Sequence, residues 1–360
     1  MVAVAAALIA LGVLGCGSGS RCCTLPPGGN AGGAGSGQSG AGGIARSGGQ
    51  AGGAGTRGAA EAAGPGQSGG QSGGQSGSGA AGRDGGAESG GADAHTDGPP
   101  LTEITDGGVW SLVWSDEFDG DGAPDPANWG YEMGLVRNQE LQWYQPSNAT
   151  VANGILTIAA QKVSMPNPNY VAGSSDWRTN RATIDYTSTS MTTSMTTTGT
   201  HDWQYGRFEM RARIDTRQGS WPAFWILGSG TAWPQSGEVD IMEYYANKVL
   251  ANVCKPSGST CNWDTTNQSP ASLGTNWASE FHVWAMEWDA THIDLTLDDQ
   301  LVNTFNVSDA NISGQTNPYD SRRFYILVNL AIGANGGDPS GTTFPITYEV
   351  DYVRVYQKKS

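Results

Sequence analysis

The segment Ser236-Gly-Glu-Val-Asp-Ile-Met-Glu-Tyr-Tyr245 sets three acids within six residues. In an extended strand, Glu238 and Asp240 share one face, and Val239 and Ile241 share the other. Strict alternation would send Glu243 into the core beside Val239, where an uncompensated charge is costly. One extra residue around Ile241-Met242, a β-bulge, returns Glu243 to the face of Glu238 and Asp240. Three like charges in a row repel, and a purely structural sheet gains nothing from them. They do suit glycoside hydrolysis, in which one carboxylate is the nucleophile and one carboxylic acid protonates the leaving oxygen. Retaining enzymes hold that pair about 5–5.5 Å apart. The two glutamate Cα atoms would lie ~13 Å apart at about 3.3 Å per residue, bulge discounted, so the side chains must lean together across a concave sheet. Asp240, between them, can hydrogen-bond the nucleophile, while mutual repulsion raises the pKa of whichever carboxyl keeps its proton. The bland alternative is a solvent-facing acidic strand.

A strand that carries such a trio needs a sheet, and the flanking sequence supplies the pattern of one. Short period-two segments recur at Trp110–Trp114, Ile155–Ile158, Gly206–Ile214, Phe281–Trp288, His292–Leu297, Phe324–Leu330 and Tyr348–Tyr356. Gly, Pro, Asn and Asp clusters separate them, and no segment has a sustained, capped helical period. Many short strands without helices predict an all-β sandwich or barrel. In Gly206–Ile214, Phe208, Met210, Ala212 and Ile214 form the apolar face, and Arg207, Glu209, Arg211 and Arg213 the wet one. Ser220–Leu227 is apolar on both faces: Trp221, Ala223 and Trp225 on one, Phe224 and Ile226 on the other. Indoles opposite a core suit stacking against the apolar C–H face of a sugar; simple burial is the competing reading for both.

The remainder of the chain sets address and partners. Residues 17–100 hold 31 of the 54 glycines and none of the 13 Trp, 12 Tyr and 7 Phe. Such a stretch cannot bury enough apolar surface to offset its ordering entropy, so a disordered Gly-rich linker is predicted over 17–104, ahead of a single domain over 105–360. Val2 to Leu14 is an apolar run too short to cross a membrane, which takes ~20 residues, and reads as a signal peptide over 1–16. Val13-Leu14-Gly15-Cys16 resembles a bacterial lipobox, with Cys16 the lipidation site; a plain secretory signal is the alternative. Either way export is expected, with any membrane contact only through the lipid anchor. Cys22 and Cys23 fall in the linker, while Cys254 and Cys261 enclose six residues including Pro256 and Gly258 and could close a local disulfide. His201, His282 and His292 show no ligand spacing, so no metal centre is expected. Nearly all of the −15 net charge belongs to the folded part. That surface repels nucleic acid and favours a neutral ligand.

Glu238-Val-Asp-Ile-Met-Glu243 resembles the active-site signature of glycoside hydrolase family 16 in its bulged, laminarinase-like form. The similarity extends through Trp114–Phe118, Arg137–Tyr144, Tyr205–Glu209, Trp221–Trp225, Leu327–Gly333 and Val350–Tyr356. The resemblance implies a concanavalin-like β-jelly roll with a concave substrate cleft. It makes Glu238 the nucleophile, Glu243 the acid/base and Asp240 the supporting acid of a retaining endo-hydrolase. It also implies sugar contacts from Asn138, Glu140 and Gln142, an aromatic floor of Trp221 and Trp225, and a cleft asparagine at Asn329. No cofactor is implied; a structural Ca²⁺ occurs among relatives, but no Asp-rich loop identifies one here. The expected partner is a neutral β-linked polysaccharide and the expected state a monomer. Three departures concern the subsites: Lys248–Cys254 lacks a histidine, Asp298-Asp299 replaces an Asp-Gly turn, and Gly333–Pro339 lacks an aromatic. They leave open β-1,3-glucan, mixed β-1,3/1,4-glucan, or a β-galactan-type polymer. A non-catalytic, lectin-like jelly roll is the reading from another class.

Overall fold

Seventeen strands run through residues 110–359, the part of the chain that the computed structural model describes. The leader, Cys16, Cys22, Cys23 and the linker expected over 17–104 lie outside the described residues. In chain order the strands are β1 (Trp110–Asp116), β2 (Gly130–Tyr131), β3 (Gln142–Tyr144), β4 (Ala149–Ala152), β5 (Ile155–Pro166) and β6 (Thr183–Ser188). Next come β7 (Ser190–Thr192), β8 (Gly206–Ile214), β9 (Ser220–Gly228), β10 (Glu238–Tyr245), β11 (Lys248–Ser257) and β12 (Thr260–Gln268). The last are β13 (His282–Trp288), β14 (His292–Leu297), β15 (Gln300–Asn306), β16 (Phe324–Ile332) and β17 (Ile346–Lys358). The α-helices among the described residues are two single turns, α1 (Pro270–Leu273) and α2 (Pro318–Ser321).

These strands form two sheets. One runs β15-β14-β13-β8-β17-β5-β6-β3, with β1 also on β17 and β4 on β5; the other runs β12-β11-β10-β9-β16-β7-β2. Pairing is antiparallel apart from β3 with β6. The core lies where the sheets meet: Phe208, Met210 and Ala212 of β8 belong to one buried cluster with Phe224 and Ile226 of β9 and Val239 and Ile241 of β10. Each fully buried Phe, Met, Ile or Val side chain contributes about 1.5–3 kcal/mol, which fixes which face of each strand turns inward. This is the all-β jelly roll that the strand pattern and the resemblance imply.

Three expectations need correcting. Alternation in β17 pairs Val350 with Tyr352, but the register with β8 shifts between them, so Val353 and Val355 enter the core instead. Tyr352 then bonds the carboxylate of Glu209 at 2.8 Å. The second concerns the charged face of β8, which is less wet than its composition suggests: Arg207 pairs with Glu209 and Glu287, Arg211 with Asp351, and Arg213 with Glu349. The third is Asp298-Asp299, which turns between β14 and β15 in the sheet away from the cleft. Both residues take the left-handed φ (49° and 60°) that glycine usually serves. Asp298 meets the demand by accepting from the Val283 amide at 2.9 Å and bonding His282 Nδ1 at 2.6 Å.

Candidate active site

The acids stand on the face of β10 that turns away from the core, and a backbone irregularity puts them there. From Asp240 to Glu243 takes three steps on β10, but their partners on β11, Asn252 and Leu250, are two steps apart. The β9 side shows the same surplus, with Asp240 opposite Trp225 and Met242 opposite Phe224. Ile241 and Met242 therefore both enter the core, and Glu238, Asp240 and Glu243 all line a cavity of about 870 Å³ over the outer face of the sheet. The bulge is where the cost of burying Glu243 predicts it. Gly237 sets the entry to β10: its φ is 77°, and a Cβ there would lie 2.9 Å from Phe324 and Pro318. Just beyond, the buried Tyr319 hydroxyl lies 2.9 Å from the Glu238 carbonyl oxygen and 2.5 Å from that of Cys254, tying β10 to β11.

Each glutamate has its own indole donor, and Glu243 and Asp240 share an amide. Trp233 Nε1, from the loop before β10, donates to Glu238 Oε2 at 2.5 Å, and Trp221 Nε1 donates to Glu243 Oε1 at 2.8 Å. Asn252 Nδ2 donates to Glu243 Oε2 at 2.8 Å and to Asp240 Oδ2 at 3.1 Å. Asp240 stands on the strand between the two glutamates and faces the charge of both. Burial first, then the neighbouring charges of Glu243 and Glu238, hold its pKa well above the usual range. Burial, with repulsion from Glu243, raises Glu238 to about 7 against the pull of the Trp233 donor. Burial also raises Glu243, opposed by the Trp221, Asp240 and Asn252 bonds. Such a trio cannot ionise in full near neutral pH, so one wall of the cleft carries both a proton and a charge.

The other expected residues divide. Trp221 and Trp225 line the cavity although both are largely buried, and each spends its N–H on a polar group of the site: Glu243 for Trp221, Asn329 Oδ1 at 2.7 Å for Trp225. Floor and burial are thus both true of them. Asn329 lines the cavity too, bridging Trp225 and the Tyr144 hydroxyl (3.1 Å). Asn138 sits exposed at the rim in the left-handed region (φ 56°), donating to Glu140 at 3.3 Å. Glu140 lies behind it, with its pKa raised by burial and held back by Arg137. Gln142 departs from expectation. It is fully buried off the cleft, donating to Glu140 at 2.7 Å and accepting from the Ile332 amide at 2.7 Å, so it shapes the wall and does not reach the cavity. Cys254 and Cys261 are joined in a disulfide, Cα atoms 5.2 Å apart, within the β11–β12 hairpin.

Asn252, Trp233, Arg137 and Tyr319 also shape the site, beyond the residues expected to act there. Asn252 had a signal: it is the polar residue between Ala251 and Val253, both core residues, on the neighbouring strand. Trp233 had none, being in a loop without period. Arg137 lies over the Trp225 ring at 5.0 Å and pairs with Glu132, which accepts from the Ser190 hydroxyl at 2.6 Å.

Comparison with known proteins bears on the whole domain. Residues 141–354 match the model of the family described as glycosyl hydrolases family 16. The beta-glucanase of Rhodothermus marinus is 34% identical over 265 residues, covering 69% of this chain and 85% of that protein. Among solved structures, the laminarinase catalytic domain of Thermotoga maritima is 31% identical with a TM-score of 0.58, over 70% of this chain and 100% of that one. A structure from work on endo-acting O-glycanases, which human gut microbiota express to initiate mucin breakdown, is 32% identical with a TM-score of 0.63, over 70% and 92%. With its bulged acidic strand and this likeness along nearly the whole described domain, the chain belongs to glycosyl hydrolase family 16 and is a glycosidase that hydrolyses O-glycosyl bonds.

Proposed function

We propose that the chain cleaves internal bonds of β-1,3-glucan or mixed β-1,3/1,4-glucan with retention of configuration, by double displacement. The observation that carries this reading is the bulge that turns Glu243 to the side of Glu238 and gives each glutamate its own indole donor. In the first step a Glu238 carboxylate oxygen attacks the anomeric carbon; the glycosidic C–O bond breaks, and the Glu243 proton passes to the leaving oxygen. In the second, ionised Glu243 takes a proton from water, the water oxygen attacks the same carbon, and the ester bond to Glu238 breaks. Asp240, holding its proton, donates to whichever glutamate carries the charge. The glucan preference rests on the likeness to beta-glucanase and laminarinase and on the acidic surface, which disfavours a polyanionic polymer.

The test is reducing-end release on laminarin, lichenan and galactan, with proton NMR of the first product anomer. Glu238→Ala and Glu243→Ala are each expected to lose activity while staying folded. Near wild-type turnover in either, or an inverted first product, refutes the assignment. A second reading keeps the chemistry and changes the polymer to a β-galactan or other non-glucan glycan; the likeness to the O-glycanase structure supports it. Release from galactan or mucin O-glycan, but not from laminarin or lichenan, would favour that reading. In either case we take the protein as exported, tethered through Cys16 and acting as a monomer. Loss of membrane-fraction partitioning in Cys16→Ser tests the tether.

A further inference from the structure

The acids occupy the middle of the cavity, but its lining continues across two further strands, to an indole on the edge strand β12. Asp240 is opposite Asn252 on β11, and Asn252 is opposite Thr265 on β12. Paired residues share a face, so Asp240, Asn252 and Thr265 form one row across the sheet, and all three line the cavity. Trp263, two residues before Thr265, has its side chain on that same face and lines the same cavity. It lies about 10 Å from the catalytic strand, two strand spacings away. Trp263 is 43% exposed, unlike Trp221 and Trp225, which the floor nearly covers. Its partner in register is Cys254, which a disulfide joins to Cys261, two residues before the indole on its own strand.

We propose that Trp263, with Thr265 beside it, forms an outer sugar-binding subsite on the β11–β12 side of the cleavage point, gripping a glycan chain that runs across the strands. The proposal rests on the glycosidase reading above. An indole face fits the apolar C–H face of a pyranose ring, and the Thr265 hydroxyl can both donate to and accept from ring hydroxyls. The occupant is a glycan because the platform lines the same cavity as Glu238, Asp240 and Glu243. A subsite this far from the reacting bond is filled only by a long substrate. It therefore separates attack within a polymer from attack on short oligosaccharides.

The experiment compares Trp263→Ala, Trp263→Phe and the wild type on the polysaccharide that the wild type hydrolyses and on a ladder of its oligosaccharides. For Trp263→Ala, KM is expected to rise about tenfold on the polymer, equivalent to ~1.4 kcal/mol, with kcat and the KM of the shortest cleaved oligosaccharide unchanged. Trp263→Phe, which keeps a ring, is expected to recover part of the difference. Affinity electrophoresis of the inactive Glu238→Gln chain, with and without Trp263→Ala, reads the same loss as binding alone. An unchanged polymer KM overturns the proposal, and so does an equal loss on the shortest oligosaccharide and the polymer. A wild-type chain that hydrolyses none of these glycans refutes the glycosidase reading instead, and polymer retention by Glu238→Gln then judges the platform separately.

Discussion

Replacing Trp233 by phenylalanine removes one proton from the vicinity of Glu238 and leaves the ring. The indole N–H lies 2.5 Å from Glu238 Oε2 and favours the charged form of that carboxyl. A hydrogen bond to a charged group contributes about 1.5–3 kcal/mol. Trp233 is 48% exposed, so water replaces part of the lost donor, and the lower end applies. About 1.4 kcal/mol corresponds to roughly one pH unit in the pKa of the acid. The sign follows directly: loss of a donor to the anion raises the pKa, and a nucleophile must be ionised to act, so the acid limb of kcat/KM moves to higher pH. With Glu238 starting at about 7, the ionised fraction near pH 6 falls from roughly one in ten to roughly one in a hundred. Trp233→Phe should thus lose about tenfold in kcat/KM near pH 6 and less than about twofold near pH 9. The assay is a pH profile on the hydrolysed polysaccharide at limiting substrate. An acid limb that stays in place, or a loss uniform across pH, refutes the claim that this indole tunes the nucleophile.

Two further expectations concern the same wall. Glu238 is raised from an ordinary 4.5 to about 7, so the folded chain binds this proton more tightly than the unfolded one, and stability falls as pH rises through that interval. Glu238→Gln should match the wild type in thermal unfolding near pH 4 and exceed it near pH 8, by about 3 kcal/mol; an equal offset at both pH values would show no such linkage. Asn252→Ala removes the amide that serves both Glu243 and Asp240, which should lower kcat roughly tenfold with little change in KM and move the basic limb of the profile upward. An unmoved basic limb would leave Asn252 a merely structural role.

Much of this molecule is readable from the order of its residues, and the unread parts share a cause. The bulge in β10 is legible because strict alternation would bury the Glu243 carboxylate, an outcome expensive enough to exclude. The similar shift in β17 is not legible, because Val353 and Tyr352 fit a core about equally well and no energetic penalty chooses between them. Trp221 and Trp225 are visible because a strand with two apolar faces demands an explanation. Trp233, in an aperiodic loop, meets Glu238 only once the chain has turned at Gly237. Gln142 is misread for a related reason. Asn138 and Gln139 adopt left-handed φ values of 56° and 55°, and the turn that lifts Asn138 to the rim sends Gln142 behind the wall.

Because Ile241 and Met242 both occupy interior positions, the distance between the two glutamates depends on one supernumerary peptide unit as much as on side-chain identity. Deleting either residue would restore plain alternation and leave Glu243 outside, only closer to Glu238; straightening the ribbon with every residue kept would swap inside for outside at each later position up to the hairpin, exposing Tyr244 and burying Glu243. The hexapeptide grafted onto a straight ribbon would therefore carry all its letters and none of its reactivity. Engineers who wish to borrow this chemistry must transplant the kink, together with the facing Phe224 that accommodates it.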